Sequence, residues 1–533
     1  MRMTAFHDRS NIPLNEPSHK SSIKAPVRTK LSYHSCSLPL LFSVNKMPRL
    51  LLLSLALVAL PFFVPSSTVS ADPPNRRSNV LMIAVDDLRP ELNCYGQSYM
   101  KTPHMDALAA SGVRFDRAYC QVAVCGASRA SLLSGCRPET TGCWDYRTLM
   151  RTKMPDVLSL PQHFRQSGYE TTFIGKVYHS PSDDPQGWSV RADDLAPRDK
   201  AKGKGYLNTA RGKRVAHPGN PKLKHGPSTE NGGDVADDAY SDGHNADRAI
   251  TMMEKLSTGE KPFFLAVGFV KPHLPFNAPG KYWDMYDRDE IKIPVRRDVI
   301  DGVSYSGSGW GELKNYPDIP RDVKFLDDAK TLELIHGYRA ATSYTDAQVG
   351  KLIAGLDRLA IRDNTIVVLW GDHGWYVGDF GDWCKHTNYE IATRVPLIVS
   401  APGVEGAQQT DALTELVDLY PTLCELSGLE VPEHCQGTSF RKVLTEPTMK
   451  WKDAAFSQYK KSIRGKLILG TSVRTQRYRY TQWREIKTGT LDAVELIDFQ
   501  KDPGATRNVA DQAEYKNDLK ELAELCQRSA EGV

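Results

Sequence analysis

Two acidic motifs and one cysteine have residue types and spacings that can do chemistry. Asp86-Asp87 directly follow an apolar run, residues 79–85 (NVLMIAV). Paired carboxylates at the C-terminal end of a buried strand fall where open α/β sheets place their ligands, although an Asp pair also caps turns. Asp372-His373 repeat the arrangement after residues 365–370, inside Gly371-Asp372-His373-Gly374, whose glycines permit close backbone approach. The two motifs together offer three carboxylates and one imidazole. Such an oxygen-rich set suits Ca²⁺ or Mg²⁺, and the imidazole leaves room for Mn²⁺ or Zn²⁺. Cys125 opens residues 125–135 (CGASRASLLSG). The ordinary reading of a lone cysteine at a helix start is a buried core residue.

These groups need a scaffold, and the hydropathy pattern from residue 78 to about 428 supplies one. Residues 79–85, 263–269, 365–370 and 395–400 are continuous apolar runs, as expected of strands buried on both faces. Thr102-Pro103 opens a helix that Gly112 closes, and helical stretches follow over 241–256 and 328–359. The alternation predicts an α/β sandwich with a largely parallel sheet. Between about 191 and 233 the pattern fails and Lys, Arg, Gly and Pro dominate. This stretch reads as a solvated insertion, or as a basic loop facing an anionic polymer. After about 446 the texture changes. Residues 471–483 (TSVRTQRYRYTQW) suggest a hairpin at a sheet edge with one wet face, although basic-aromatic interleaving also occurs in nucleic-acid binders. Residues 513–527 form an amphipathic helix with Leu519, Leu522 and Leu525 on one side.

At 533 residues the chain is too long for one small core, and its net charge of +4 points to neither nucleic acid nor membrane. Met47-Pro48-Arg49, the apolar run 50–64 and Val69-Ser70-Ala71 form an export signal with Asp72 as the mature start, and the run is short for a bilayer span. The expected organisation is an unstructured leader or an over-extended reading frame at 1–46, a signal peptide at 47–71, a main domain at 76–445 and a C-terminal subdomain at 446–533. Export, to the periplasm or outside, permits disulfides among Cys94, Cys120, Cys136, Cys143, Cys384, Cys424, Cys435 and Cys526. No cysteine spacing resembles a zinc cluster.

Residues 125–135 resemble the signature of type I sulfatases, Cys-x-Pro-Ser-Arg-x-x-x-Leu-x-x-Gly, through Cys125, Ser128, Arg129, Leu133 and, one place displaced, Gly135. The pattern departs at Ala127, where proline is usual. Further likeness lies in Val85 to Pro90, Gly175-Lys176-Val177-Tyr178-His179, residues 264–268 with Lys271-Pro272-His273, Trp375, Lys385, residues 472–475 with 478–480, and Glu495 to Asp498 with Asp502-Pro503. Within the family the chain is most similar to the iduronate-2-sulfatase branch.

The resemblance implies an alkaline-phosphatase-like sandwich with a smaller C-terminal α+β subdomain built on an antiparallel sheet. It implies that a formylglycine-generating maturation enzyme oxidises Cys125 to 3-oxoalanine. One Ca²⁺, with Mg²⁺ or Mn²⁺ as alternatives, would sit on Asp86, Asp87, residue 125, Asp372 and His373. In the implied roles Arg129 anchors the hydrated aldehyde and the carboxylates, while Lys176 and Lys385 hold sulfate oxygens. His179 takes the proton that restores the aldehyde, and His273 protonates the leaving alcohol. Histidines suit such transfers near neutral pH. Arg89 and Trp375 would flank the sugar of a sulfated carbohydrate, a 2-O-sulfated uronate, with the arginine forked onto its carboxylate. A phosphate or phosphonate ester hydrolase of the same superfamily is the competing enzyme. A non-catalytic sulfated-glycan binder follows if Cys125 stays a thiol.

Overall fold

The computed structural model describes residues 77–199, 202–207, 215–217, 220–296, 305, 307–463 and 465–531. The expected leader, the export signal, Cys36 and part of the basic stretch lie outside the described residues. The elements that position the site are β1 (Asn79–Val85), α1 (Pro103–Ala110), β2 (Val113–Tyr119), α2 (Cys125–Ser134), β3 (Glu170–Gly175), α3 (Ser241–Ser257), β4 (Phe263–Phe269), α4 (Asp328–Arg358), β5 (Thr365–Gly371), β6 (Arg394–Ser400), β7 (Gln408–Thr410) and β8 (Thr414–Glu415).

The strands form an eight-stranded sheet in the order β7-β2-β6-β5-β1-β4-β3, with β8 also on β2. Pairings β1–β4, β1–β5, β3–β4, β7–β2 and β8–β2 are parallel, and only β6 runs against its two neighbours. Every residue of β1, β4 and β5 is buried. Their alternate side chains feed opposite faces: Val80, Met82 and Ala84 meet Ala130, Leu132 and Leu133 of α2, while Leu81, Ile83 and Val85 join a second core with α1, α3 and α4. Each fully buried aliphatic side chain contributes roughly 1.5–3 kcal/mol, so the central strands hold the sheet's C-terminal edge rigidly.

Several local expectations change in the structure. Thr102 precedes α1 but its side chain does not cap it. Asp346 of α4 does so instead, accepting from the backbone N–H groups of His104 (3.2 Å) and Met105 (2.7 Å). The basic stretch is not wholly irregular, since Val215–His217 pairs antiparallel with Asn220–His225. A two-stranded ribbon satisfies its own backbone polar groups and needs no apolar period to form. All nine cysteines among the described residues are free thiols. No helix of the described residues is long and apolar enough to cross a membrane.

The C-terminal region is a four-stranded antiparallel meander, β9 (Ala455–Ile463), β10 (Lys466–Arg474), β11 (Tyr478–Glu485) and β12 (Leu491–Asp498), followed by α5 (Lys516–Glu531). The expected wet face of 471–483 is absent, because Tyr478 to Trp483 are all buried. Tyr478 and Tyr480 pack with Leu522 of α5, while Arg479 donates to the Asn388 carbonyl (2.7 Å) and to Glu390 (2.8 Å) of the main body. Arg474 Nε also reaches Glu390, at 3.0 Å.

Burial alone would raise the Glu390 carboxyl, but Arg474 and Arg479 hold it down at about 2, against an ordinary value of 4.5. A carboxyl depressed in the fold contributes stability that is present above the unfolded value and lost as pH falls through the folded one. Between pH 6 and pH 3 Glu390 therefore accounts for a loss of roughly 2 kcal/mol. Glu390→Gln is expected to flatten the urea-unfolding dependence on pH over that window by this amount. An unchanged slope would remove the ion pair from the acid response.

Candidate functional site

Parallel pairing sets Val85 beside Gly371, so the chain leaves β1 and β5 at one level and Asp86-Asp87 emerge next to Asp372-His373. The Asp87 backbone turns into the left-handed region (φ 59); its N–H donates to Asp372 Oδ1 at 3.1 Å, and Tyr338 of α4 donates to its carbonyl at 2.9 Å. Gly374 is obligatory, because a Cβ there would lie 1.9 Å from the Ile391 carbonyl oxygen. Cys125 is the first residue of α2, and its Sγ lies 3.2 Å from His373 Nε2 and 3.5 Å from Lys385 Nζ. Ligand atoms of Asp86, Cys125, Asp372 and His373 all lie within 4.8 Å of one another, and so do those of Asp86, Asp87, Cys125 and His273. Asp87 Oδ2 is buried without a hydrogen-bond partner. An orphaned carboxylate oxygen among three carboxylates and an imidazole fits a divalent cation.

Cationic groups enclose this cluster. Arg129, one turn along α2 and fully buried, donates from Nε to Asp372 Oδ2 (2.9 Å) and from Nη2 to Asp86 Oδ1 (3.4 Å). Its Nη1 binds the carbonyls of Lys176 and Val177. Those carbonyls are reachable because β4 passes under them at Gly268, where a Cβ would sit 2.0 Å from the Lys176 oxygen. Arg129 thus bridges two of the three carboxylates. Lys176 pairs with Asp86, and Lys385 Nζ lies 2.9 Å from Asp87 Oδ1. Burial works against charge on Asp86, yet Lys176, His273 and Arg129 hold its carboxyl well below the usual range. Asp87 is raised instead, burial outweighing Lys385 and His273. Burial, then Asp86, push the Cys125 thiol up to about 12. An unmodified Cys125 is thus a poor thiolate.

Over Cys125 opens a cavity of about 410 Å³ lined by Tyr146, His179, His273, Glu312, Asn315, Lys385 and His386, among others. The two histidines are poised oppositely. Burial and then Lys176 lower His179 to about 4. His273 rises to about 9, because Asp87, Glu312 and Asp86 outweigh burial. It contacts the Leu274 carbonyl from Nδ1 (2.6 Å) and Glu312 Oε1 from Nε2 (2.8 Å). Glu312 Oε2 also meets Lys385 Nζ at 3.0 Å.

The structure thus brings Asp86, Asp87, Cys125, Arg129, Lys176, His179, His273, Asp372, His373 and Lys385 into one place. It does not bring Arg89 or Trp375 to the pocket wall. The Arg89 guanidinium is held by Glu91 (2.9 Å) and Asp379 (2.5 Å) and lines a separate small cleft. Trp375 has no exposed surface; its ring lies under Lys385 Nζ (4.8 Å) and beside His273 (6.3 Å). Two acids that a sequence pattern did not single out, Glu91 and Asp379, pair with Arg89. Glu312, Asn315, Tyr146 and His386 are pocket residues that sequence reasoning missed, and Trp310-Gly311-Glu312 carries no motif or period that marks it.

The family model described as Sulfatase matches residues 78–429, and one described as N-sulphoglucosamine sulphohydrolase, C-terminal, matches residues 371–531. Iduronate 2-sulfatase of Homo sapiens is 32% identical over 490 residues, covering 76% of this chain and 84% of that protein. A sulfatase of Formosa agariphila is 29% identical, covering 84% and 86%. Among solved structures, BT4656 in complex with D-glucosamine-2-N,6-O-disulfate superposes with a TM-score of 0.67 at 22% identity, covering 86% of this chain and 98% of that one. The phosphonate monoester hydrolase of Silicibacter pomeroyi gives 0.66 at 24% identity, covering 85% and 95%. Both of these likenesses concern the fold.

Proposed function

The chain belongs to the sulfatase family, whose members act on sulfated substrates, and from that premise we propose that it removes the 2-O-sulfate of a uronate in a glycosaminoglycan-like carbohydrate. The observation that carries the chemistry is the convergence of Cys125 with three carboxylates, two lysines and two oppositely poised histidines in one pocket. The substrate reading rests on the 32% identity to iduronate 2-sulfatase.

Oxidised to formylglycine and hydrated, residue 125 supplies a nucleophilic hydroxyl and a second hydroxyl through which the aldehyde returns. Asp86, Asp87, Asp372 and His373 would hold one divalent cation, Ca²⁺ by its preference for oxygen donors, which when bound polarises and orients the sulfate. The side chains do the rest. Lys176 and Lys385 neutralise sulfate oxygens, and the N-terminus of α2 faces the same anion. His179, neutral near pH 7, accepts a proton, while protonated His273 donates one to the leaving sugar oxygen. That oxygen takes the position beside Nε2 that Glu312 Oε1 holds in the substrate-free pocket. Export follows from residues 47–71, and maturation would need a formylglycine-generating enzyme as partner.

Paired assays test the ester class. 4-Nitrophenyl sulfate should be cleaved faster than 4-nitrophenyl phosphate, and an unsaturated disaccharide with a 2-O-sulfated uronate faster than one sulfated only on glucosamine. Preference for the phosphate would overturn the sulfatase chemistry, and preference for the glucosamine ester would overturn the uronate assignment. The acid role of His273 has its own signature. Its activity is present below its folded pKa and lost as pH rises through it. Glu312→Gln removes one anion that holds this proton in the free enzyme, so the alkaline limb of kcat/KM should move down by ~1 pH unit. A pH–rate profile with an unmoved limb would show that Glu312 does not govern His273.

A further inference from the structure

His179 lines a second cavity besides the one over Cys125. It measures about 640 Å³, has Lys176 in its wall, and is built largely from the chain that follows β3. Its apolar part comes from Phe173 and Trp188, whose rings lie 4.8 Å apart, and from Val270. Its charged part is three arginines facing a single acid, Asp193. Arg248 is buried and already engaged by Asp193 and the Ala196 carbonyl. Arg198 is two-thirds exposed and stands 3.6 Å from the same Asp193. Arg191 is exposed, and its guanidinium has no hydrogen-bond or ion-pair partner among the described residues. Arg191 and Arg198 belong to the basic stretch that sequence alone left between solvated insertion and polymer-facing loop.

An aromatic and aliphatic wall accepts the C–H face of a pyranose, and a free guanidinium forks onto carboxylate or sulfate. The volume is in the range of ligand pockets. Arg89, the arginine expected to read a sugar carboxylate, is taken by Glu91 and Asp379. We propose that this second cavity is a subsite for an anionic sugar residue neighbouring the one whose sulfate lies over Cys125, with Arg191 and Arg198 reading its carboxylate or sulfate. The subsite rests on the sulfatase reading of the Cys125 pocket. It makes an oligosaccharide, not a lone sulfated sugar, the preferred ligand.

Equilibrium binding of a heparin-derived tetrasaccharide to full-length Cys125→Ala protein reads the subsite apart from turnover. Arg191→Ala in that background should weaken binding about tenfold, the double variant Arg191→Ala, Arg198→Ala should weaken it further, and Arg191→Lys should restore only part. Lys450→Ala, which removes an exposed charge elsewhere, should change it less than twofold. With Cys125 intact, Arg191→Ala should leave kcat/KM for 4-nitrophenyl sulfate within twofold. A desulfated tetrasaccharide that still binds in an Arg191-dependent way would identify carboxylate as the anion read, and loss of that binding would identify sulfate. A loss under twofold in Arg191→Ala, an equal loss in Lys450→Ala, or no binding of the sulfated tetrasaccharide by the parent protein would overturn the subsite. Failure of the unsubstituted enzyme on 4-nitrophenyl sulfate would instead strike the sulfatase reading, and the binding series would still decide the cavity.

Discussion

Cys125→Ala is expected to lower kcat for 4-nitrophenyl sulfate by at least ~10⁴-fold, because the nucleophile itself is removed and neighbouring groups cannot replace it. Cys125 lies at the head of α2 with Sγ facing His373 and Lys385, and among the described residues no other Cys, Ser or Thr side chain lines the pocket. The fold should survive. Alanine is a good helix former, and trimming one small side chain at the first helical position costs about 1 kcal/mol. Circular dichroism and the urea midpoint check that half of the expectation. Peptide mass spectrometry of the parent protein checks the other half: the fragment spanning residue 125 should be about 18 Da lighter than one carrying a thiol. An unmodified thiol in fully active protein would sink the formylglycine reading. A thiol in inactive protein would favour the glycan-binder alternative, with Ala127 in place of the usual proline as the feature to restore.

Arg129→Ala should cost roughly 10²–10³ in kcat, comparable to losing a preorganised oxyanion donor. Arg129 also acts from outside the lining of the pocket over Cys125. Its guanidinium ties Asp86, Asp372 and the carbonyls of Lys176 and Val177 together. Without it the two carboxylates lose orientation, and the strand end that presents Lys176 loses its anchor. Removing one partner from a buried ionic network also destabilises by roughly 3–5 kcal/mol. Arg129→Lys offers one point charge for four acceptors and should recover stability better than rate. A kcat change under about fivefold in Arg129→Ala, with the fold intact, would exclude Arg129 from any part in arranging the site.

The central scaffold could be read because strands buried on both faces leave a strong local trace. Residues 79–85 and 365–370 are uninterrupted apolar runs ended by carboxylates, and each became a strand with that acid at its C-terminal end. The start of α2 was legible too, since Cys125 was read at a helix start and is the first residue of that helix. Where burial comes from a distant partner the trace fails. Residues 478–483 alternate like a half-wet strand, yet Glu390 and Asn388 on one side and Leu522 on the other enclose them. Capping fails similarly: Asp346, more than 240 residues away, displaced Thr102 as the cap of α1.

What the chain determined by itself is the set of chemically competent groups and the strand ends that carry them. Residue type and hydropathy period are local properties, and parallel pairing of β1 with β5 then aligns the acids. Only the tertiary structure decided which cations and acids meet. Arg89 turned to Glu91 and Asp379, Glu312 arrived between His273 and Lys385, and Arg191 was left without a partner among the described residues, in a cavity it shares with His179. Ion-pair partners are chosen by proximity in the folded chain, through Coulomb terms that fall with distance and rise with burial, and sequence separation carries no information about either.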